Sequence, residues 1–175
     1  MTDIYNLSRT VSYQYTLSYV RSLTPTSNAG KIAAVDAIAT ALRLPSIFDF
    51  DPLFKLDAVI GVKSHELFSL LQIFLNEGLP EFRAWERRHP DAFETYRKFR
   101  SAWEIFFRHV LKMYTDLDKE QLERKIRLLT LASLGFKNIG QDLPYASIAS
   151  SLQVDPSEVE NWTIDGKTTL IVDVS

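Results

Sequence analysis

The sequence predicts a mainly α-helical fold in which helical-repeat hairpins run into a C-terminal helix-turn-helix of winged-helix type. Apolar residues recur at three- and four-residue spacing in one segment after another, and each segment stops at a Pro, Gly or Asn. Two short helices over Ala146–Trp162, joined by Gln153-Val154-Asp155, spell the helix-turn-helix. One run alone, Thr168 to Val174, is dense enough in β-branched residues to read as a strand.

In chain order, Asp3 to Leu23 carries Ile4, Leu7, Val11 and Tyr15 with Leu17 and Val20, which fits a helix despite its Ser, Thr and Tyr content. Thr24-Pro25-Thr26-Ser27-Asn28 breaks it. The next helix, Ala29 to Leu42, places Ile32, Val35, Ile38, Ala39 and Leu42 on one face, and Pro45 ends it. Aromatics in the connection Ser46 to Asp51 plug it onto the core. Asp51-Pro52 opens a short helix, Leu53 to Leu56, which closes near Gly61. Ser64 is placed to cap Glu66 to Asn76, with Leu67, Leu70, Leu71, Phe74 and Leu75 inward. The corner Gly78-Leu79-Pro80 leads into Glu81 to His89, making a hairpin of the helical-repeat kind. Asp91 to Tyr114 is the longest uninterrupted helix.

Asp118 caps Lys119 to Leu134, and Asn138-Ile139-Gly140 stops that helix because Asn and Gly tolerate the left-handed conformation. Asp142 to Tyr145 is extended ahead of a helix from Ala146 to Leu152. A second helix follows, capped by Asp155 with Pro156 in its first turn. Gly166-Lys167 reads as a turn before the strand. The expected division is 1–124 for the helical-repeat part and 125–175 for the linking helix and helix-turn-helix.

A helix-turn-helix invites a DNA-binding reading, and the charges oppose it. No Lys or Arg falls between Lys137 and Lys167, whereas Asp142, Asp155, Glu158, Glu160 and Asp165 do. A helix entering the major groove needs cations against the phosphates, and Pro156 to Trp162 is acidic. A structural cap or protein-docking surface fits better. Tyr145, Ser147, Ser150, Glu158 and Trp162 are the candidate contact residues, with burial an equal alternative for Tyr145 and Trp162.

The 175 residues suffice for a core without staples, and 46% hydrophobic with 24% charged residues is ordinary globular usage. A net charge of −2 gives the whole chain no bias toward nucleic acid or membrane. The absence of cysteine excludes disulfides, thiolate metal sites and cysteine nucleophiles. No signal-peptide-like run or bilayer-length apolar stretch occurs, so a cytoplasmic protein without a membrane segment is expected.

Catalytic chemistry finds no foothold. His65, His89 and His109 fall in different helices, and His65-Glu66 begins an HExxH pattern that ends at Ser69 instead of a second ligand. The six glycines are scattered singly, without a phosphate loop, and no Gly-x-Ser-x-Gly elbow exists. Asp116/Asp118 and Glu158/Glu160 sit where acids favour helix starts. No enzyme activity, metal or cofactor is expected.

One charge cluster stands out: Arg83, Arg87, Arg88, Arg97, Lys98, Arg100, Arg108 and Lys112, with Trp85 and Trp103 among them. It reads as a solvated face balanced by Glu81, Glu86, Glu94 and Glu104. The alternative is a surface for RNA phosphates or an acidic partner.

Three segments carry a family resemblance: Ala37 to Leu42 leading to Phe48-Asp49-Phe50-Asp51-Pro52-Leu53-Phe54-Lys55-Leu56; Lys125 to Leu131; and Val159-Glu160-Asn161-Trp162-Thr163-Ile164-Asp165. Together with the layout of helices entering a winged helix, they resemble the PCI domain. That domain is shared by scaffold subunits of the proteasome lid, the signalosome and translation initiation factor 3. Within that set the chain is similar to the C-terminal half of the M-subunit family of initiation factor 3. The resemblance implies a non-catalytic scaffold that contacts other subunits of that factor and, indirectly, the small ribosomal subunit. A scaffold role in another such complex, the signalosome first, is the neighbouring expectation. Two departures are expected: the N-terminal repeats are missing, and the last helix stops at Asp165, leaving an incomplete wing and no trailing helix.

Overall fold

Alanine spacing decides how the helices assemble. The computed structural model describes residues 2–93 and 117–171, with side chains for 11–93 and 117–167. Helix α1 (Thr2–Ser22) packs on α2 (Asn28–Arg43), whose start is capped by the Ser27 Oγ accepting from the Gly30 N–H at 2.9 Å. Ala34, Ala37, Ile38, Ala41 and Leu42 form the buried face of α2. Small side chains there let α1, α4 (Asp57–Ile60), α5 (Glu66–Asn76) and α7 (Lys119–Lys137) all approach the same helix. The expected face was rotated: Ile32 is 54% exposed, while Val35 and Ala39 are half-buried.

The same correction applies to α1. Its buried row is Tyr13, Leu17 and Val20, whereas Val11 and Tyr15 face solvent. Two apolar stripes compete on this helix, and the one that meets α2 wins. Burial pushes the Tyr13 hydroxyl well above its ordinary range, with the nearby Asp49 charge adding to the shift.

The aromatic connection behaves as expected. Phe50 is buried and meets Phe74 edge-on at 6.2 Å, and Phe74 meets Phe82 edge-on at 6.0 Å. Short helix α3 (Asp51–Phe54) adds Phe54, stacked on Phe68 at 5.6 Å. Helix α5 is capped one residue later than expected: His65, not Ser64, supplies the acceptor, its Nδ1 receiving the Leu67 N–H at 3.2 Å. Helix α6 (Leu79–Arg88) starts with the Gly78 N–H donating to Glu81 Oε2 at 3.2 Å. It buries Trp85, whose Nε1 donates to Ser69 Oγ at 2.8 Å. Beyond its first residues, the helix expected over Asp91 to Tyr114 lies outside the described residues.

Asp118 caps α7 as expected, its Oδ1 accepting from the Glu120 N–H at 3.0 Å. Leu122 and Ile126 on α7 close the large cluster formed by α1 to α6. Lys125 is buried beside them at 4% exposure, and its Nζ donates to the carbonyl oxygens of Ala41 (2.7 Å), Leu42 (3.3 Å) and Leu44 (2.7 Å). The last carbonyls of a helix lack intrahelical donors, and this ammonium supplies them at the end of α2. It also lies 4.9 Å from the Phe50 ring centre.

Past Gly140, at φ 77°, come α8 (Tyr145–Leu152), a one-turn 3-10 helix (Pro156–Glu158) and α9 (Val159–Ile171). These supply the expected helix-turn-helix. A second, smaller cluster of Ile148, Ala149, Leu152 and Val159 holds it, with Leu131, Leu143, Val154 and Trp162 packed against it.

The C-terminal strand is overturned over Thr168 to Ile171, which continue α9, and no strand occurs among the described residues. Gly166 is not a turn. A Cβ there would stand 2.8 Å from Leu131 Cδ2, so the glycine marks a close approach of α9 to α7. A helix already nucleated by the Asp155 cap then outweighs the strand preference of Thr168 and Thr169. The last helix therefore runs past Asp165, against the departure expected from the resemblance.

Two stability measurements follow from this packing. Replacing Lys125→Met strands three carbonyls in the core and should cost about 2–4 kcal/mol in urea unfolding. Gly166→Ala should destabilise the natural chain yet add about 1 kcal/mol in a Leu131→Ala background, where alanine's helix preference acts without the clash.

Candidate protein-docking surface

The outer face of the helix-turn-helix is set by which side of each short helix the small cluster consumes. In α8 that side is Ile148, Ala149 and Leu152. Tyr145, Ser147 and Ser150 are left exposed, Tyr145 at 56%. Glu158 is exposed at the end of the 3-10 turn. Trp162 departs from the expected set: it is half-buried against the small cluster, with the Arg127 guanidinium 5.5 Å from its ring centre. It packs the module rather than projecting from it.

The module's exposed residues are acidic, as its sequence is. Asp142, Asp155, Glu158, Glu160 and Asp165 are all exposed, and Asp165 pairs with Arg124 at 2.9 Å. Asp155 accepts from both the N–H (2.9 Å) and the Oγ (2.6 Å) of Ser157. Those hydrogen bonds hold its carboxyl below the ordinary value of 3.8.

Sequence reasoning missed three exposed apolar side chains on this end of the molecule. Phe136 is 81% exposed, Ile139 72% and Ile164 59%. Phe136 lies beyond Leu134, the expected end of the helix that carries it. Helix α7 extends to Lys137 and has by then run beyond the large cluster.

The basic cluster is divided. Arg83 is half-buried, with its Nη1 donating to Gln153 Oε1 at 2.6 Å and its Nε 3.9 Å from Glu123 Oε1. It ties α6 to the turn of the helix-turn-helix. Arg87 and Arg88 are exposed at the end of α6. Arg97, Lys98 and Arg100 lie outside the described residues, as do Arg108 and Lys112. Glu86 pairs across to Lys119 at 2.5 Å rather than along its own helix.

Of the histidines, His65 is a helix cap and His89 stacks on Trp85 at 4.7 Å. His109 lies outside the described residues, among which no trio of His, Cys, Asp or Glu could hold a metal ion. No described helix is long and apolar enough to cross a membrane.

A helical array closed by an acidic helix-turn-helix is the class of protein that these elements define. The chain is similar to "Eukaryotic translation initiation factor 3 subunit M" of several fungi. The Coccidioides immitis relative is 32% identical over 160 residues, covering 89% of this chain and 30% of the relative. The Aspergillus oryzae relative is 36% identical over 79% of the chain and 27% of its own length. That of Aspergillus terreus is 38% identical over 75% of the chain and 26% of its own length. No family model matches the chain. The chain is thus related to subunit M of eukaryotic translation initiation factor 3, and it spans 26 to 30% of the length of these relatives.

The Asp155 cap makes a signed pH prediction. A depressed carboxyl contributes stability that is complete above its ordinary value of 3.8 and fades as pH falls through the lower folded value. Protection of Ser157 to Glu160 against hydrogen exchange, taken relative to the intrinsic rate at each pH, should therefore fall in acid. Asp155→Asn, which keeps an acceptor without titrating, should remove most of that acid dependence.

Proposed function

We propose that this chain is a non-catalytic scaffold segment of translation initiation factor 3, docking other subunits through the outer face of its helix-turn-helix. The observation that carries this is the identity with subunit M relatives across three quarters or more of the chain. The proposed contacts are Tyr145, Ser147, Ser150 and Glu158, with Phe136 and Ile139 as nearby apolar anchors in the chain. An exposed aromatic on a module whose exposed charges are mainly acidic suits a partner surface that offers both apolar and basic groups.

The reading includes a PCI-type architecture, divided at about residue 125 into a helical-repeat part and a winged-helix part, and a cytoplasmic setting. Contact with the small ribosomal subunit would be indirect, through the rest of the factor. DNA is not a partner in this reading, because the face is acidic. Direct RNA binding through Arg87, Arg88, Arg97, Lys98 and Arg100 is the competing function. Arg83 is already engaged by Gln153 and Glu123.

A tagged full chain is incubated with purified initiation factor 3 subunits, with and without ribonuclease. Nuclease-resistant capture supports the scaffold reading, and capture lost on digestion supports the RNA reading. Glu158→Lys with Glu160→Lys should weaken nuclease-resistant capture about tenfold; undiminished binding would remove this face as the interface.

A further inference from the structure

We propose that the helix-turn-helix is a separately opening unit, latched to the helical array by the Arg83–Gln153 contact. Its apolar seat is small: Ile148, Ala149, Leu152 and Val159 are its buried members, all within the module. Leu131 on α7 is the packed residue that joins them to the rest of the molecule. On the same helix the large cluster takes Leu122 and Ile126, with Leu129 packed against it, so α7 serves two apolar clusters in succession. A unit with few buried apolar contacts to its surroundings opens at lower free energy than the whole chain.

Beside the close approach of Gly166 to Leu131 and Leu128, its attachments are polar and form a chain of charges across the seam. Arg127 is the inner pivot: its Nε donates to the Leu152 carbonyl at 3.1 Å, and its guanidinium covers Trp162. Glu123 Oε2 lies 3.4 Å from Arg127 Nη2, and both side chains are less than one-fifth exposed. Glu123 also faces Arg83, which reaches out from α6 to Gln153, 70 residues away in sequence. Arg124 of α7 and Asp165 of α9 form a half-exposed pair that water and salt screen readily.

The latch grips a strained residue. Gln153 has φ 53° and is the one non-glycine residue with positive φ among those described. It closes α8, with its own N–H donating to Ser150 O at 3.3 Å and the Val154 N–H to Ala149 O at 3.1 Å. Glycine is the usual occupant of such a position, because a Cβ crowds the backbone there. A glutamine at that point gives up backbone ease and supplies the acceptor that Arg83 holds. Release of the contact would free the turn and let the module swing about Arg127, changing the angle at which Tyr145 and Glu158 are presented. That last consequence rests on the docking reading above; the latch itself does not.

Hydrogen exchange on the full chain tests the latch without any partner, so failure of the docking reading would leave the result intact. Arg83→Ala and Gln153→Gly each remove the contact, and glycine keeps the turn because it adopts positive φ freely. Each should raise exchange roughly three- to tenfold over residues 145–165, leaving 28–43 and 66–76 unchanged. The double variant should do no more than either single one. Additive effects, acceleration spread through α2 and α5, or no change in the module would each overturn the proposal.

Discussion

One buried ammonium holds the array together. Lys125 delivers its charge to the open end of α2, the helix around which the other elements pack, and three carbonyl oxygens receive it. Burying a cation costs several kcal/mol unless its donors are satisfied, and here the acceptors are ones that also needed a donor. The two deficits cancel at one point. That point fixes the register of α7 against α2, placing Leu122 and Ile126 in the large cluster and projecting the second half of α7 beyond it.

The projecting half of α7 is what the helix-turn-helix stands on. Leu131 packs into the small cluster and Arg127 caps the end of α8, while Gly166 lets α9 lie close. A helix serving two clusters needs apolar residues on more than one side, which explains why Leu128, Leu129 and Leu131 follow one another so closely. The acidic outer face then follows from subtraction, since it consists of what neither cluster consumes.

Much of this was legible in the sequence, for local reasons. Asp118 and Asp155 announce caps that form as their side chains dictate, and Asn138 to Gly140 ends α7. What was misread depends on neighbours distant in sequence. Ile32 and Tyr15 lie on apolar stripes that no described helix covers, because alanines elsewhere on α2 permit closer packing. Gly166 reads as a turn until Leu131 is set beside it, and Thr168 to Ile171 read as strand until α9 reaches them as a helix. At the candidate surface, Ser147, Ser150 and Glu158 are exposed as expected, whereas for Tyr145 the sequence left exposure and burial open. The roles of Trp162 and Arg83 were not legible, because their partners Arg127 and Gln153 lie 35 and 70 residues away in the chain.

The reach of Lys125 also bears on the order in which the chain organises itself. Its three hydrogen bonds close loops of 84, 83 and 81 residues, whereas the contacts of the helix-turn-helix with α7 are made within about half that span. Closing a long loop forfeits more chain entropy before any contact rewards it. During synthesis, the carbonyls at the end of α2 must wait in water until α7 has emerged. The small cluster has only its own short stretch to gather, and the larger cluster cannot be finished before α7 is in place.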